Sequence, residues 1–293
     1  ARESAMFFQQ LINGLMLGST YSLIAIGYTL VLGLLQMINL AHGDVFMIGA
    51  FLGLTFAYLG IPLYLSLILA MVGAGIMGIL VERFCFRPLK KAHFLGPLVS
   101  TIAFGILLQN VGTQIWGSEP SRYPQTTEIA QFHLGPVVVS SIQIIILITS
   151  LALMVGLDQF IRRTRMGRAM RATSEGQVNA SLLGVDPDRV ISFTFFSSGA
   201  LAGVAGVLTA LVYSQITPFI GIRQGLIGIV AMVIGGLGKV RGAMIAGLLV
   251  GIIEVMNDAY FTASYRDMII FGIFFIFIVF KPEGLFGAVK KET

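Results

Sequence analysis

Hydrophobic residues run through this chain in long blocks, with neither the two-residue alternation of strands nor the one-sided stripe of a surface helix. A helix needs about 20 largely apolar residues to cross a bilayer. Runs approaching that length are Leu11–Leu34, Asp44–Leu59, Pro62–Val81, Gly96–Trp116, Val137–Ile161, Val190–Tyr213, Leu226–Leu237, Ala243–Met256 and Met268–Phe280. Asp44–Leu59 and Leu226–Leu237 are so short that they would barely cross, or cross broken, so eight or nine membrane segments are expected. Strands are not indicated, because barrel strands would read as short alternating segments between turns. Phe271–Phe280 is rich in Ile and Phe, yet its length and apolar setting favour a helix. The predicted fold is an all-α integral membrane protein, a polytopic helical bundle with some segments short or broken.

Composition agrees. Of 293 residues, 56% are apolar and 11% charged, and mean hydropathy is +0.89. A soluble domain carries about 25% charged residues, so this chain has too few to cover a water-facing surface. A soluble enzyme, a nucleic-acid binder and a disordered protein are excluded on that ground. The lone Cys85 allows no internal disulfide, and His42, His93 and His133 show no metal-ligand spacing. The N-terminal Ala1–Ala5 stretch lacks a basic n-region and is read as the start of the first membrane helix, not as a signal peptide. Glycine is abundant at 35 residues. The pairs Gly14/Gly18, Gly49/Gly53, Gly199/Gly203, Gly238/Gly242 and Gly247/Gly251 have the spacing that lets membrane helices approach closely. Together they predict a tightly packed bundle.

Basic residues set the expected orientation. Arg83, Arg87, Lys90 and Lys91 form one group; Arg162, Arg163, Arg165, Arg168, Arg171 and Arg189 a second; Lys239 and Arg241 a third; Lys281, Lys290 and Lys291 a fourth. These hold 15 of the 19 Lys and Arg residues, and they are read as cytoplasmic together with the C-terminus. Arg122, Arg223 and Arg266 fall on the other side, and the N-terminus is external if nine segments cross.

The apolar pattern breaks similarly in both halves, at Gln36–Asp44 and at Ser214–Gln224. Non-helical backbone survives at membrane depth only when buried or lining an aqueous cavity, and paired interruptions point to a transport site between halves; ordinary turns are the alternative. Ionisable residues inside spans are costly and tend to be functional. Candidate pathway residues are Asn39, His42, Asp44 and Glu254, with Glu254 suited to attract an ammonium group or, alternatively, to serve as a polar helix contact. No partner for Glu254 is reachable along its own helix at Lys239 or Arg241. Gln109 and Asn110 read as interhelical hydrogen-bonding groups.

The longest polar stretch, residues 162–189, contains a short helix predicted to begin with Ser174 as its N-cap. Val178, Leu182 and Val185 would share one face, and Gly184 and Pro187 would stop it. Such an apolar face needs cover, from the protein's own helix ends, from the lipid surface or from a partner's groove.

This stretch resembles the coupling loop of ABC importer permeases of the branched-chain amino acid (LivH-type) family. Ile38–Asp44 resembles the family's Asn-x-Ala-His-Gly-acidic motif. Gly235–Met244 resembles its Gly-Gly-x-Gly-x-x-x-Gly-Ala segment, although Lys239-Val240-Arg241 is more basic than the pattern, and Lys281–Gly287 resembles its Pro-x-Gly-Leu-Phe-Gly ending. The resemblance implies one transmembrane permease domain over residues 1–293, with a cytoplasmic coupling helix, in a multi-pass protein of the inner membrane. It implies import of leucine, isoleucine or valine by alternating access, or of urea or short amides as in related systems. The implied partners are a second permease subunit (the same or a different chain), two cytoplasmic ATPase subunits and an external or periplasmic substrate-binding protein. Residues Arg171–Gly184 would enter a cleft of the ATPase, with Arg171, Ser174, Glu175, Val178, Ala180, Leu182, Leu183 and Gly184 as coupling residues.

No catalytic residue and no cofactor is expected here, ATP being bound by the ATPase subunits. The chain has no G-x-x-x-x-G-K-[ST] loop, and Gly73–Gly78 spells G-x-G-x-x-G inside a span, without βαβ context. Asn179-Ala180-Ser181 is a glycosylation sequon in spelling only. A self-sufficient channel or secondary carrier, motivated by Glu254 and the interruptions, is the competing reading. A membrane-embedded enzyme would need a catalytic motif that the spans do not contain.

Overall fold

The computed structural model describes residues 2–89, 95–124, 130–134 and 137–287. Lys90, Lys91, His93, Lys290 and Lys291, all used above, lie outside the described residues. In lipid a backbone must satisfy its own hydrogen bonds within the segment, and the long apolar runs form helices. They are α1 Arg2–Leu35, α2 His42–Tyr58, α3 Leu63–Val81, α4 Leu95–Trp116, α5 Ser141–Arg163, α6 Arg165–Glu175, α7 Gln177–Leu182, α8 Pro187–Tyr213, α9 Ile220–Gly235, α10 Val240–Tyr260 and α11 Arg266–Phe280. Among the described residues, seven helical stretches are long and apolar enough to cross a membrane, and α9 is a shorter apolar helix. The 17-residue α2 is mostly buried. The polytopic bundle is therefore present, with a short segment α2 close to the expected Asp44–Leu59 and a second, α9, that starts six residues before the expected Leu226.

Short strands correct one expectation. Val137–Ser140, taken above as the start of a span, is strand β3; its β-branched side chains pair it antiparallel with β2, Gln131–Leu134. Ser140 then starts α5 with a capping box: its hydroxyl accepts from Gln143 N at 3.2 Å, and Gln143 accepts from Ser140 N at 2.9 Å. A second pair joins β1, Ser121–Arg122, to β4, Gln215–Ile216. α9 also begins well before Leu226, so Arg223 and Gln224 of the second interruption are helical.

Glycine sets the closest helix contacts. A Cβ on Gly18 of α1 would lie 2.6 Å from the Leu248 carbonyl oxygen of α10, and one on Gly247 would lie 2.5 Å from the Ser22 backbone. Gly49 of α2 faces Gly203 of α8, whose opposite flank meets Ala70 and Ala74 of α3. Gly242 of α10 meets Gly235 of α9. Helices without a hydrophobic drive for association gain van der Waals contact this way. α1 and α8 are buried along most of their length, whereas α5 and α11 lie at the periphery.

The described basic segments gather at one end. Arg87 pairs with Asp188 at 3.2 Å, and Arg241 pairs with Asp158 at 2.9 Å. Gly284 packs on Gly236, and Leu285 N donates to Ile234 O at 2.7 Å. Arg122, Arg223 and Arg266 belong to the other end, where the Tyr58 hydroxyl donates to Arg122 O at 2.8 Å.

Candidate functional site

The first interruption is a re-entrant segment. α1 ends at the basic end, where Gly33 faces Gly238. Gln36 then takes a left-handed φ of 56°, and the chain turns back into the bundle. His42 lies against Gly27 of α1 and Ser198 of α8. Gly27 is eight residues from the end of α1, so His42 sits about 12 Å deep at 1.5 Å per residue. Asn39, Ala41 and His42 are almost fully buried. Ala41 N donates to Asn39 Oδ1 at 3.2 Å and His42 N to Asn39 O at 3.2 Å, while Leu40 N reaches across to Thr101 Oγ1 of α4 at 3.3 Å. The Ser198 hydroxyl donates to Gly27 O at 2.8 Å. His42 Nδ1 lies 3.3 Å from the same hydroxyl oxygen. The imidazole meets Tyr28 edge-on, ring centres 4.4 Å apart. Asn39 and His42 thus shape the turn, and neither lines the cavity described next.

The two interruptions meet. Gly43, in the first turn of α2, packs against Gly221 and Gly225 in the first two turns of α9; a Cβ on Gly43 would collide with the Gly221 carbonyl. Beside this crossing, between α4 and α9, lies a cavity of about 190 Å³. Its wall is largely aliphatic, from Leu40, Ile102, Ile106, Ile222, Leu226 and Ile229, and the polar groups on it are Asp44, Gln109 and Tyr28. Gln109 Nε2 donates to Asp44 Oδ1 at 2.8 Å. The other carboxylate oxygen lies over Gly105, whose missing side chain makes room for it. The open side is flanked by the half-exposed Ile106 and Ile222. A buried carboxylate, an amide and an aliphatic wall match the needs of a small solute with a cationic head and an apolar body.

Glu254 stands elsewhere. It is buried and absent from the cavity wall. Tyr21 donates its hydroxyl proton to Oε2 at 2.8 Å, and Arg223 donates to Oε1 at 3.1 Å. Arg266 lies 3.5 Å from Oε1. Arg223 is shared with Asp267 at 2.9 Å, and Arg266 with Asp258. Partners that Glu254 lacks along its own helix are supplied across helices, by two arginines that the sequence placed only on the side opposite the basic segments. The carboxylate is compensated by contacts that join α1, α9, α10 and α11. Gln109 is interhelical as expected, whereas the Asn110 amide donates to Ile106 O of its own helix at 2.8 Å.

At the basic end the 162–189 stretch holds two helices. Thr164 caps α6 by accepting from Gly167 N at 3.0 Å. Ser174 is not an N-cap: it lies inside α6, its hydroxyl donating to Arg171 O at 2.7 Å. The break comes at Gly176, which precedes α7. Arg171 donates to Ile161 O, and Glu175 is exposed. Val178, Leu182 and Leu183 are 74%, 81% and 80% exposed. Ala180 is buried and anchors α7 to the body, while Val185, beyond the helix end, packs on the core and not on the shared face expected for it. Gly184 ends the helix with φ 81°, and Pro187 begins α8 behind an Asp186 cap. Sequence reasoning missed Gly105 and Thr101 of α4; Gly221 lay within the second interruption without being singled out. Their signal, small residues opposite an interruption, becomes visible only when the helices are paired.

Among the described residues no cluster of His, Cys, Asp and Glu could hold a metal ion. The model of the branched-chain amino acid transport system permease component matches residues 10–279. The permease protein BraD of Pseudomonas aeruginosa is 39% identical, covering 98% of this chain and 97% of its own. LivH of Escherichia coli K12 is 38% identical over the same shares. LivM of that organism, also a permease protein by name, is 26% identical over 93% of this chain and 69% of its own length. On the breadth of these matches, the chain belongs to the family of permease components of branched-chain amino acid transport systems.

Proposed function

We propose that this chain is the LivH-like permease subunit of an ATP-driven importer of leucine, isoleucine and valine. The observation that carries the reading is the cavity where the two interrupted segments meet: Asp44 and Gln109 face the solute's ammonium group and the isoleucines its aliphatic side chain. A carboxylate at bilayer depth costs about 2.5–3.5 kcal/mol when it faces lipid. A second permease subunit covering the open side of the cavity removes that cost. In Escherichia coli both LivH and LivM carry the name of permease protein of the high-affinity system, which favours a different, LivM-like chain as that second subunit.

The chain acts as one permease domain, with the basic end and the C-terminus cytoplasmic. Two ATPase subunits dock there, and Val178, Leu182 and Leu183 of α7 insert into them; an external binding protein delivers solute at the opposite end. α7 is tethered through Ala180 and through Gly176 to α6, so displacement of α7 by the closing ATPase pair moves α6 and α8. Rocking of such a bundle about its fixed glycine contacts opens the cavity to one side at a time. The Val178→Asp/Leu182→Asp pair tests this. The variant chain is expected in the membrane at normal levels without co-purifying ATPase subunits. Full retention of the ATPase would overturn the docking assignment.

A further inference from the structure

We infer that the basic end carries a second binding site, one for the phosphate group of an anionic phospholipid. A cavity of about 700 Å³ opens between the ends of α5, α6 and α10. Arg162, Arg171, Lys239 and Arg241 line it, against one carboxylate, Asp158. That carboxylate is already occupied. Arg241 holds it with two hydrogen bonds of 3.1 and 2.9 Å, and Arg162 with a third of 3.0 Å. Arg171 spends one guanidinium nitrogen on Ile161 O, and the Lys239 ammonium has no side-chain partner among the described residues. Positive charge is therefore left in excess around an open volume, with donors on three sides.

A neighbouring cleft of about 100 Å³ shares Ile161, Arg171, Gly238 and Val240 with this cavity and runs on between Leu30, Leu34 and Met170, with Thr29 and Ser174 also on its wall. A soluble anion has no use for the aliphatic part of that extension; a lipid has, with its phosphate among the cations and the start of an acyl segment against Leu30, Leu34 and Met170. The location agrees. α5 and α10 present Leu151, Val155, Ile245 and Leu249 outward with 41–56% exposure, and the cations begin where these apolar faces end. Basic pockets between membrane helices on the cytoplasmic side take phospholipid headgroups by this chemistry. Lys239-Val240-Arg241, the basic departure from the family pattern, supplies two of the four cations.

The test uses the full chain in detergent, titrated with phosphatidylglycerol or phosphatidylcholine, with bound lipid counted by native mass spectrometry. Each cation near the headgroup accounts for about fivefold in affinity, so Arg171→Gln/Lys239→Gln is expected to bind phosphatidylglycerol about thirtyfold more weakly. Binding of phosphatidylcholine should be weak to both proteins. The charge-matched Arg168→Gln/Arg189→Gln, outside the cavity, should bind phosphatidylglycerol like wild type. Lys239→Gln alone, at an exposed position, gives the readout (about fivefold) if the double variant folds poorly. Equal loss in the charge-matched variant would overturn the site in favour of diffuse surface attraction. Displacement of the lipid by millimolar inorganic phosphate would reassign the cavity to a soluble phosphate.

Discussion

Gly105→Ala isolates the role of Asp44 without touching its charge. The new methyl group would fall inside van der Waals contact of Asp44 Oδ2, while the nearest backbone atom, Ala41 Cα, stays at an ordinary 3.8 Å. The carboxylate must rotate, and the 2.8 Å bond from Gln109 breaks. The rotated carboxylate no longer presents itself to the cavity, and loss of the charge-assisted hydrogen bond it is proposed to make to the solute's ammonium group, about 1.5–3 kcal/mol, should lower solute affinity about 10- to 150-fold. Helix propensity acts the other way, since Ala in a helix is favoured over Gly by about 1 kcal/mol, which offsets part of the strain and keeps the variant folded. The assay is leucine uptake by proteoliposomes holding the complete transporter, with KM and maximal rate measured separately. KM should rise while ATPase association is unchanged. Gly112→Ala is the control on the same helix: its methyl group would lie 3.4 Å from the Met47 side chain, an ordinary contact, and transport should match wild type. An unchanged KM in Gly105→Ala would refute the assignment of the Asp44–Gln109 pair to the solute.

Other outcomes follow from the same geometry. Gly18→Leu places a branched side chain against the Leu248 backbone; overpacking costs about 1–3 kcal/mol or more, and a clear drop in melting temperature in detergent should report it. Arg223→Ala leaves Glu254 buried with Tyr21 and the more distant Arg266, a loss of about 3 kcal/mol or more, whereas Glu254→Gln should cost less because Arg223 and Arg266 keep Asp267 and Asp258; a chemical-denaturation series should rank the two in that order. Trimming Leu182 and Leu183 to Ala together should weaken ATPase binding at least tenfold in a pull-down titration, given about 1.5–3 kcal/mol for each large aliphatic side chain buried, with no change in the stability of the chain itself.

Much of the fold was legible because the bilayer imposes a length. The span around Pro62–Val81 was placed to within a residue or two at its start, continuing into a single π turn at Glu82–Phe86. Both interruptions were legible as polar, Gly- or Pro-bearing stretches dividing apolar runs, although residues 220–224 of the second form the start of α9. Partners were not legible. The runs are apolar on every face, so periodicity cannot say which side meets which helix, and Glu254 finds Arg223 and Arg266 only through tertiary approach. The glycine pairs announced close contacts without naming the neighbour. Val137–Val139 read as span because β-branched strands and membrane helices share composition at that length. Ser174 failed as a cap because Gly176 breaks the helix two residues later, leaving Ser174 to bond backward to its own turn. Asp44 was found at its helix end, but Gly105, which leaves space for its carboxylate, carries no side chain by which to be noticed.

Leucine flux across proteoliposomes measures the division of labour most directly, comparing this chain alone with the complete complex of second permease, ATPase pair and binding protein. Uptake should appear only in the complete complex and only with ATP, and should vanish when Val178→Asp/Leu182→Asp is introduced into this chain. Downhill leucine flux through the isolated chain, without ATP, would contradict the permease mechanism and restore the self-sufficient carrier.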